Sequence, residues 1–232
     1  MKFIVRDEIW QQLPDACFGV VVARGLDNGP RQPAIDCLLD ESIESVRRQF
    51  GGTDVRDDPR VGLYRQAFTR LGFNPNKFQS SVEALLRRVV KSGELPRING
   101  IVDLVNVISL KHVIPIGAHD LRGAQGDIEI RYSRPGDSFV PFGTDQPEQL
   151  EPGELIYARG DQVKTRRWIW RQSEIGKITP DSADIFFPLD GFSANQDAVL
   201  AARDELAGVL AGLFQCRVNR GLVDREQGAV EL

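Results

Sequence analysis

A chain of 232 residues, 41% of them hydrophobic and 27% charged, can bury a sizeable core, and its net charge of −4 argues against a uniformly basic nucleic-acid binder. No apolar run approaches the roughly 20 residues that cross a bilayer, and the start, "MKFIVRDEIWQQ", lacks a signal peptide's apolar centre. A cytoplasmic protein without a membrane partner is expected, and the widely spaced Cys17, Cys37 and Cys216 read as reduced core residues.

The first predicted element is a buried strand, "CFGVVVARGL" at 17–26. A helix over 33–50 follows, with Pro33 in its first turn and Ile35, Leu38, Leu39 and Ile43 as its stripe. A second helix starts at Arg60, with Leu63, Ala67 and Leu71 four apart. A third opens on a capping box, Ser80 and Glu83, and carries Val82, Leu85, Leu86, Val89 and Val90 on its packed side. "GELP" stops it, and Ile101, Leu104, Val105 and Ile108 mark a fourth.

The period then changes to two. Strands are predicted at 126–133, 154–159, 163–170 and 183–189, and a long helix with Val199, Ala202, Leu206, Val209 and Leu213 closes the fold. Residues 217–232 lose periodicity and read as a loose tail. Helices first, then strands, then a helix predict one α+β domain with mixed sheets over 1–216.

Charge is segregated along the chain. Residues 47–100 carry 11 Lys/Arg against 5 Asp/Glu, and residues 159–177 carry 6 against 2. Such blocks either average out in space or form a polyanion-binding face. Arg87, Arg88 and Lys91 with Arg166 and Arg167 are the candidate RNA-binding residues. Phosphate loops, dinucleotide fingerprints, nucleophile elbows and zinc-spaced Cys/His sets are absent, so no cofactor or metal is expected.

Both histidines lie in "VDLVNVISLKHVIPIGAHDL" at 102–121. With the preceding "LPRING" and the following "GDIEIRYSRPGDSFVPFG", this stretch resembles the editing module of the bacterial phenylalanyl-tRNA synthetase beta subunit, its B-three/B-four domain. Arg97, Asn99, Asp103, Asn106, Pro115, Asp120, Gly126 and Arg131 stand in the family's order. The resemblance extends, more weakly, from about Tyr64 to about Cys216, and is greater to free-standing members of the family. It implies a three-layer α+β fold, an unusual β-sandwich flanked by helices. It also implies hydrolysis of the ester linking a wrong amino acid to the 3′ end of tRNA. That chemistry needs an aimed water, donors for the oxyanion, and a base or substrate hydroxyl.

The family's editing set is not carried over whole. Gly117 occupies the place of the family's histidine, His119 that of an aromatic residue, and Val105 that of a threonine beside the retained Asn106. His119 either reaches the same pocket from two residues along or packs where the aromatic does. His112, beside Lys111, reads as a solvated residue at a helix end.

Glu174 matches a family glutamate, although Trp170, Arg171, Gln172 and Ser173 replace its glycine-rich segment. It binds an ammonium group, orients water, or is one exposed glutamate among many. Trp168 and Trp170, on one face of a strand, stack on a terminal adenine or fill a core.

The expected catalytic residues are therefore His119, Asn106 and Glu174. Expected in substrate binding are Arg97, Asn99, Asp103, Gly117, Trp168, Trp170, Arg171 and Gln172. Two readings follow. One is a free-standing editing protein that deacylates misacylated tRNA in trans for translation quality control. The other is a non-catalytic module that binds tRNA or an amino acid. A small-molecule amidase or esterase is a weaker third.

Overall fold

Two β-sheets meet face to face around Phe3, whose ring lies 6.0 Å from Phe18 and 5.1 Å from Phe186 across the interface and stacks on Tyr157 at 6.0 Å. This computed structural model describes residues 1–29, 31–122 and 126–232. The larger sheet runs in the order β12 (Ala229–Glu231), β1 (Lys2–Val5), β4 (Ile128–Tyr132), β7 (Leu155–Arg159), β8 (Gln162–Arg166), β5 (Ser138–Phe139) and β6 (Glu148–Gln149). A short β9 (Arg171–Gln172) also pairs with β8. The sheet is mixed, since β1–β4 and β5–β8 pair in parallel. The smaller sheet, in the order β11 (Arg217–Val223), β2 (Ala16–Arg24), β10 (Asp184–Phe192) and β3 (His119–Asp120), is antiparallel.

Helices form the third layer, against the outer face of the smaller sheet. Helix α6 (Gln196–Leu213) approaches β2 so closely that a Cβ at Gly19 would stand 2.9 Å from Val199. Helix α5 (Gly100–His112) packs beside α6 and against α2 (Pro33–Phe50) and α4 (Ser81–Ser92). Because α5 is surrounded, it is buried nearly all round, at Ile101, Leu104, Val105, Val107, Ile108 and Leu110. A one-turn α1 (Ile9–Gln12) and α3 (Pro59–Arg70) complete the helices. The domain is α+β with mixed sheets, as the element order predicts, in the three-layer arrangement that the resemblance implies.

Four local expectations are corrected. Ser80 caps α4 by accepting from Glu83 N at 3.3 Å, but the Glu83 carboxylate does not reach back. It is buried and pairs with Arg65 at 2.8 Å, tying α3 to α4. The stripe of α3 is rotated to Val61, Tyr64, Ala67 and Phe68. Residues 217–232 are no loose tail: β11 pairs with all but two residues of β2, and β12 pairs with β1, so backbone pairing orders a segment with no apolar period. Cys37 is exposed, on the outer side of α2.

Candidate functional site

A cleft of about 440 Å³ opens between α4, α5, the 115–118 loop and β9. Its walls are Leu85, Val102, Val105, Ile116, Ala118, Trp170 and Ile178, with Ser81, Asn106 and Gln172 as neutral polar groups. Arg88 and Lys177 are its cations, and among the described residues no carboxylate or imidazole lines it. Ile98 and Phe142 line it too, yet they are 60% and 51% exposed. Large apolar side chains so open at the edge of a concave site are the kind that a ligand covers.

Asn106 reaches the cleft because it sits at the border of the buried face of α5, one residue past Val105, about 100° further round the helix. Gln172 is held by donating to Ala118 O at 2.7 Å. Trp170 packs edge-on against Phe78 at 4.9 Å, and the Arg167 guanidinium lies 4.1 Å from the Phe78 ring centre and 4.9 Å from that of Trp170. The cleft's aromatic wall is thus braced from behind.

Several expected site residues lie elsewhere. Arg97 turns to Asp36 and Asp40 of α2, on a separate cavity of about 240 Å³ that also holds Asn99 and Asp103. Asn99 caps α5 by accepting from Val102 N at 3.0 Å, and Asp103 accepts from Ile98 N at 3.1 Å. Asn28 completes this frame by accepting from Ile101 N at 3.1 Å and donating to Asn99. These polar residues build the start of α5 rather than the cleft wall. Burial pushes the Asp103 carboxyl above its ordinary value.

Glu174 ion-pairs with Lys177 and accepts from Gly143 N at 3.3 Å, outside the lining, and the Lys177 contact holds its carboxyl below the usual range. Its contacts place Lys177 and the backbone next to Phe142, both of which belong to the cleft.

The two tryptophans do not share a face. Strand β8 ends at Arg166, and Arg167 and Trp168 follow with φ of 44° and 61°, which reverses the chain. Trp168 is fully buried, donating from Nε1 to Asp190 at 2.6 Å, while Trp170 reaches the cleft. Arg166 and Arg167 pair with the buried Glu154 at 2.9 and 3.2 Å. They are therefore held in the fold and present no free charge beside α4. Arg87, Arg88 and Lys91 do lie on the outer side of α4, along open grooves that adjoin the cleft through Arg88. Arg171 is exposed at the start of β9, beside the Trp170 ring.

His119 is 2% exposed between the sheets, 6.1 Å from the Tyr157 and Phe186 ring centres. Burial, with Lys164 nearby, lowers its pKa to about 3, so the imidazole is neutral and lies outside the cleft lining. It packs where the resemblance places an aromatic residue. His112 is no solvated residue: at the last position of α5 it is largely buried in a 2.7 Å contact with Glu205 of α6.

The B3/4 domain family model matches residues 63–209. The chain belongs to the B3/4 domain family. It is 27% identical over 161 residues to the phenylalanine–tRNA ligase beta subunit of Fusobacterium nucleatum subsp. nucleatum, a match covering 67% of this chain and 19% of that protein. The chain thus spans about a fifth of the length of this curated relative. A solved N-terminal fragment of the phenylalanyl-tRNA synthetase beta-subunit from Pyrococcus horikoshii aligns with 93% of this chain and 49% of its own, at 11% identity and a TM-score of 0.43. No helix among the described residues is long and apolar enough to cross a membrane.

In this B3/4 domain, the residues that sequence reasoning missed are Ser81, Leu85, Ile98, Val102, Phe142, Lys177 and Ile178 of the cleft, and Asp190 behind it. The signal for Asp190 was present: it is the one ionisable group between Ile185 and Phe192, inside a run that otherwise reads as core. Its carboxyl accepts from both Tyr157 Oη and Trp168 Nε1 at 2.6 Å, and burial raises its pKa to about 7.

Proposed function

We propose that this B3/4 domain binds the aminoacylated 3′ end of tRNA in the Asn106 cleft and hydrolyses the ester in trans. The carrying observation is the cleft itself: apolar walls, three neutral polar side chains, Arg88 and Lys177, and two exposed apolar residues. Apolar walls suit an amino-acid side chain, the cations suit the terminal phosphates, and Phe142 and Trp170 offer ring faces to the terminal base.

Hydrolysis in such a cleft draws no base from the lining, because among the described residues it has no imidazole or carboxylate. Water attacks the ester carbonyl, the bond to the ribose oxygen breaks, and the neighbouring ribose hydroxyl relays the proton to that leaving oxygen. Asn106 Nδ2 is the donor we assign to the developing oxyanion among those of the cleft, a contribution of up to a few kcal/mol in comparable sites.

The test is a deacylation screen with the purified protein against correctly and incorrectly charged tRNAs. Amino acid should be released from at least one mischarged tRNA, and Asn106→Ala should slow release by about tenfold or more. Tight retention of charged tRNA without release favours the binding module instead. The absence of a lining base is the specific observation behind that second reading.

A further inference from the structure

Behind Trp170 lies a smaller cavity of about 60 Å³, lined by Gly117, His119, Tyr157, Trp168, Pro188 and Asp190 among others. It shares Ser81, Ile116, Trp170 and Gln172 with the cleft, so the two voids adjoin along these residues. A single water takes about 10–15 Å³, so the cavity has room for a few non-hydrogen atoms.

Its polar groups are incompletely used. Asp190 and His119 are each 2% exposed. Asp190 takes both of its hydrogen bonds, from Tyr157 and Trp168, on Oδ1. His119 Nδ1 is buried without a partner, and Nε2 faces Gly117. Buried polar groups seldom go unpaired, and an unpartnered imidazole nitrogen beside a buried carboxyl in one small cavity calls for an occupant.

The cavity's chemistry selects that occupant. A carboxylate would meet Asp190. An ammonium would lose its water against a neutral imidazole and walls of Tyr157, Trp168 and Pro188. A hydroxyl both donates and accepts, which suits an imidazole with one donor and one acceptor nitrogen beside a carboxyl. Gly117 keeps the place open, because a Cβ there would stand 3.0 Å from His119 Nε2 and from Pro188 Cγ.

We propose that this cavity receives the side-chain hydroxyl of the esterified amino acid, so that the domain prefers serine- or threonine-type aminoacyl ends over apolar isosteres. The proposal rests on the reading of the cleft as an aminoacyl-ester site.

The experiment compares binding of amide-linked 3′-threonyl-adenosine and 3′-valyl-adenosine, which differ in one hydroxyl against one methyl. The unmodified protein should bind the threonyl compound at least about tenfold more tightly, since a site built for a hydroxyl rejects the analogue without it. Asp190→Asn, which keeps an acceptor for Tyr157 and Trp168, and His119→Phe should each reduce that ratio. Equal or tighter binding of the valyl compound overturns the proposal and leaves the cavity to water. If neither compound nor any charged tRNA binds, the cleft reading itself fails, and the proposal with it.

Discussion

A side chain at Gly117 would begin 3.0 Å from His119 Nε2, inside the space that two unbonded atoms keep. The histidine that the family resemblance places at 117 therefore has no room while His119 points inward and Pro188 closes the other side. Gly117→Ala should destabilise by about 1–3 kcal/mol, the usual cost of overpacking. Adding His119→Ala should restore part of that loss, because the two sites are in contact. Denaturant midpoints of the two single variants and the double variant give the coupling; strict additivity would show that the contact is not tight.

The two buried groups of the small cavity oppose each other with pH. His119 falls from an ordinary 6.5 to about 3, so between those values the unfolded chain binds the extra proton. Its stabilisation is full above 6.5 and is lost as pH falls towards 3. Asp190 rises from 3.8 to about 7, so between those values the folded protein holds the extra proton. Its stabilisation is full below 3.8 and is lost as pH rises through 7. The slopes offset between about pH 4 and 6.5. In His119→Phe, stability should fall from pH 4 to 7; in Asp190→Asn, it should rise from pH 4 to 6.5. Each change is on the order of a few kcal/mol. Parallel pH profiles for both variants would reject the pair of assignments.

Two sets of arginines that look alike in sequence should separate by experiment. Arg88→Glu with Lys91→Glu should weaken tRNA binding and lower its dependence on salt between about 50 and 200 mM, with little change in stability. Glu154→Gln should instead destabilise by about 3 kcal/mol, because it takes the carboxylate from the partly buried Arg167 and leaves Arg166 only the more exposed Glu148. If Arg166→Ala alone removes most tRNA affinity while the α4 variant binds normally, the basic face has been assigned to the wrong residues.

The elements that were legible in the sequence are those whose apolar period has a single buried face. Helix α4 and strand β4 are of this kind, while β7, buried at all five residues, is legible as a short apolar run. Asn106 was legible for the same reason, at the edge of the α5 stripe. The turn at Arg167 and Trp168 was not. Two successive non-glycine residues of positive φ cost roughly 1–2 kcal/mol each, and only burying Trp168 and wedging Arg167 between rings holds them there. A period-two reading carries straight through such a turn. Arg97, Asn99 and Asp103 were legible as a polar group near the site. That they support α5 and face a different cavity depends on Asn28, Asp36 and Asp40, far away in sequence.

The central claim is that the Asn106 cleft holds the aminoacylated end of tRNA. Ala84 lines this cleft from an exposed position on α4, so Ala84→Trp should fill the cleft without disturbing the core. The deciding measurement is the binding of the same tRNA, aminoacylated and free, to the wild type and to this variant. The account predicts that the wild type binds the aminoacylated form at least about tenfold more tightly, and that Ala84→Trp removes this difference while binding to uncharged tRNA through α4 persists. Equal affinity of the wild type for both forms, or an undiminished preference in Ala84→Trp, would contradict it.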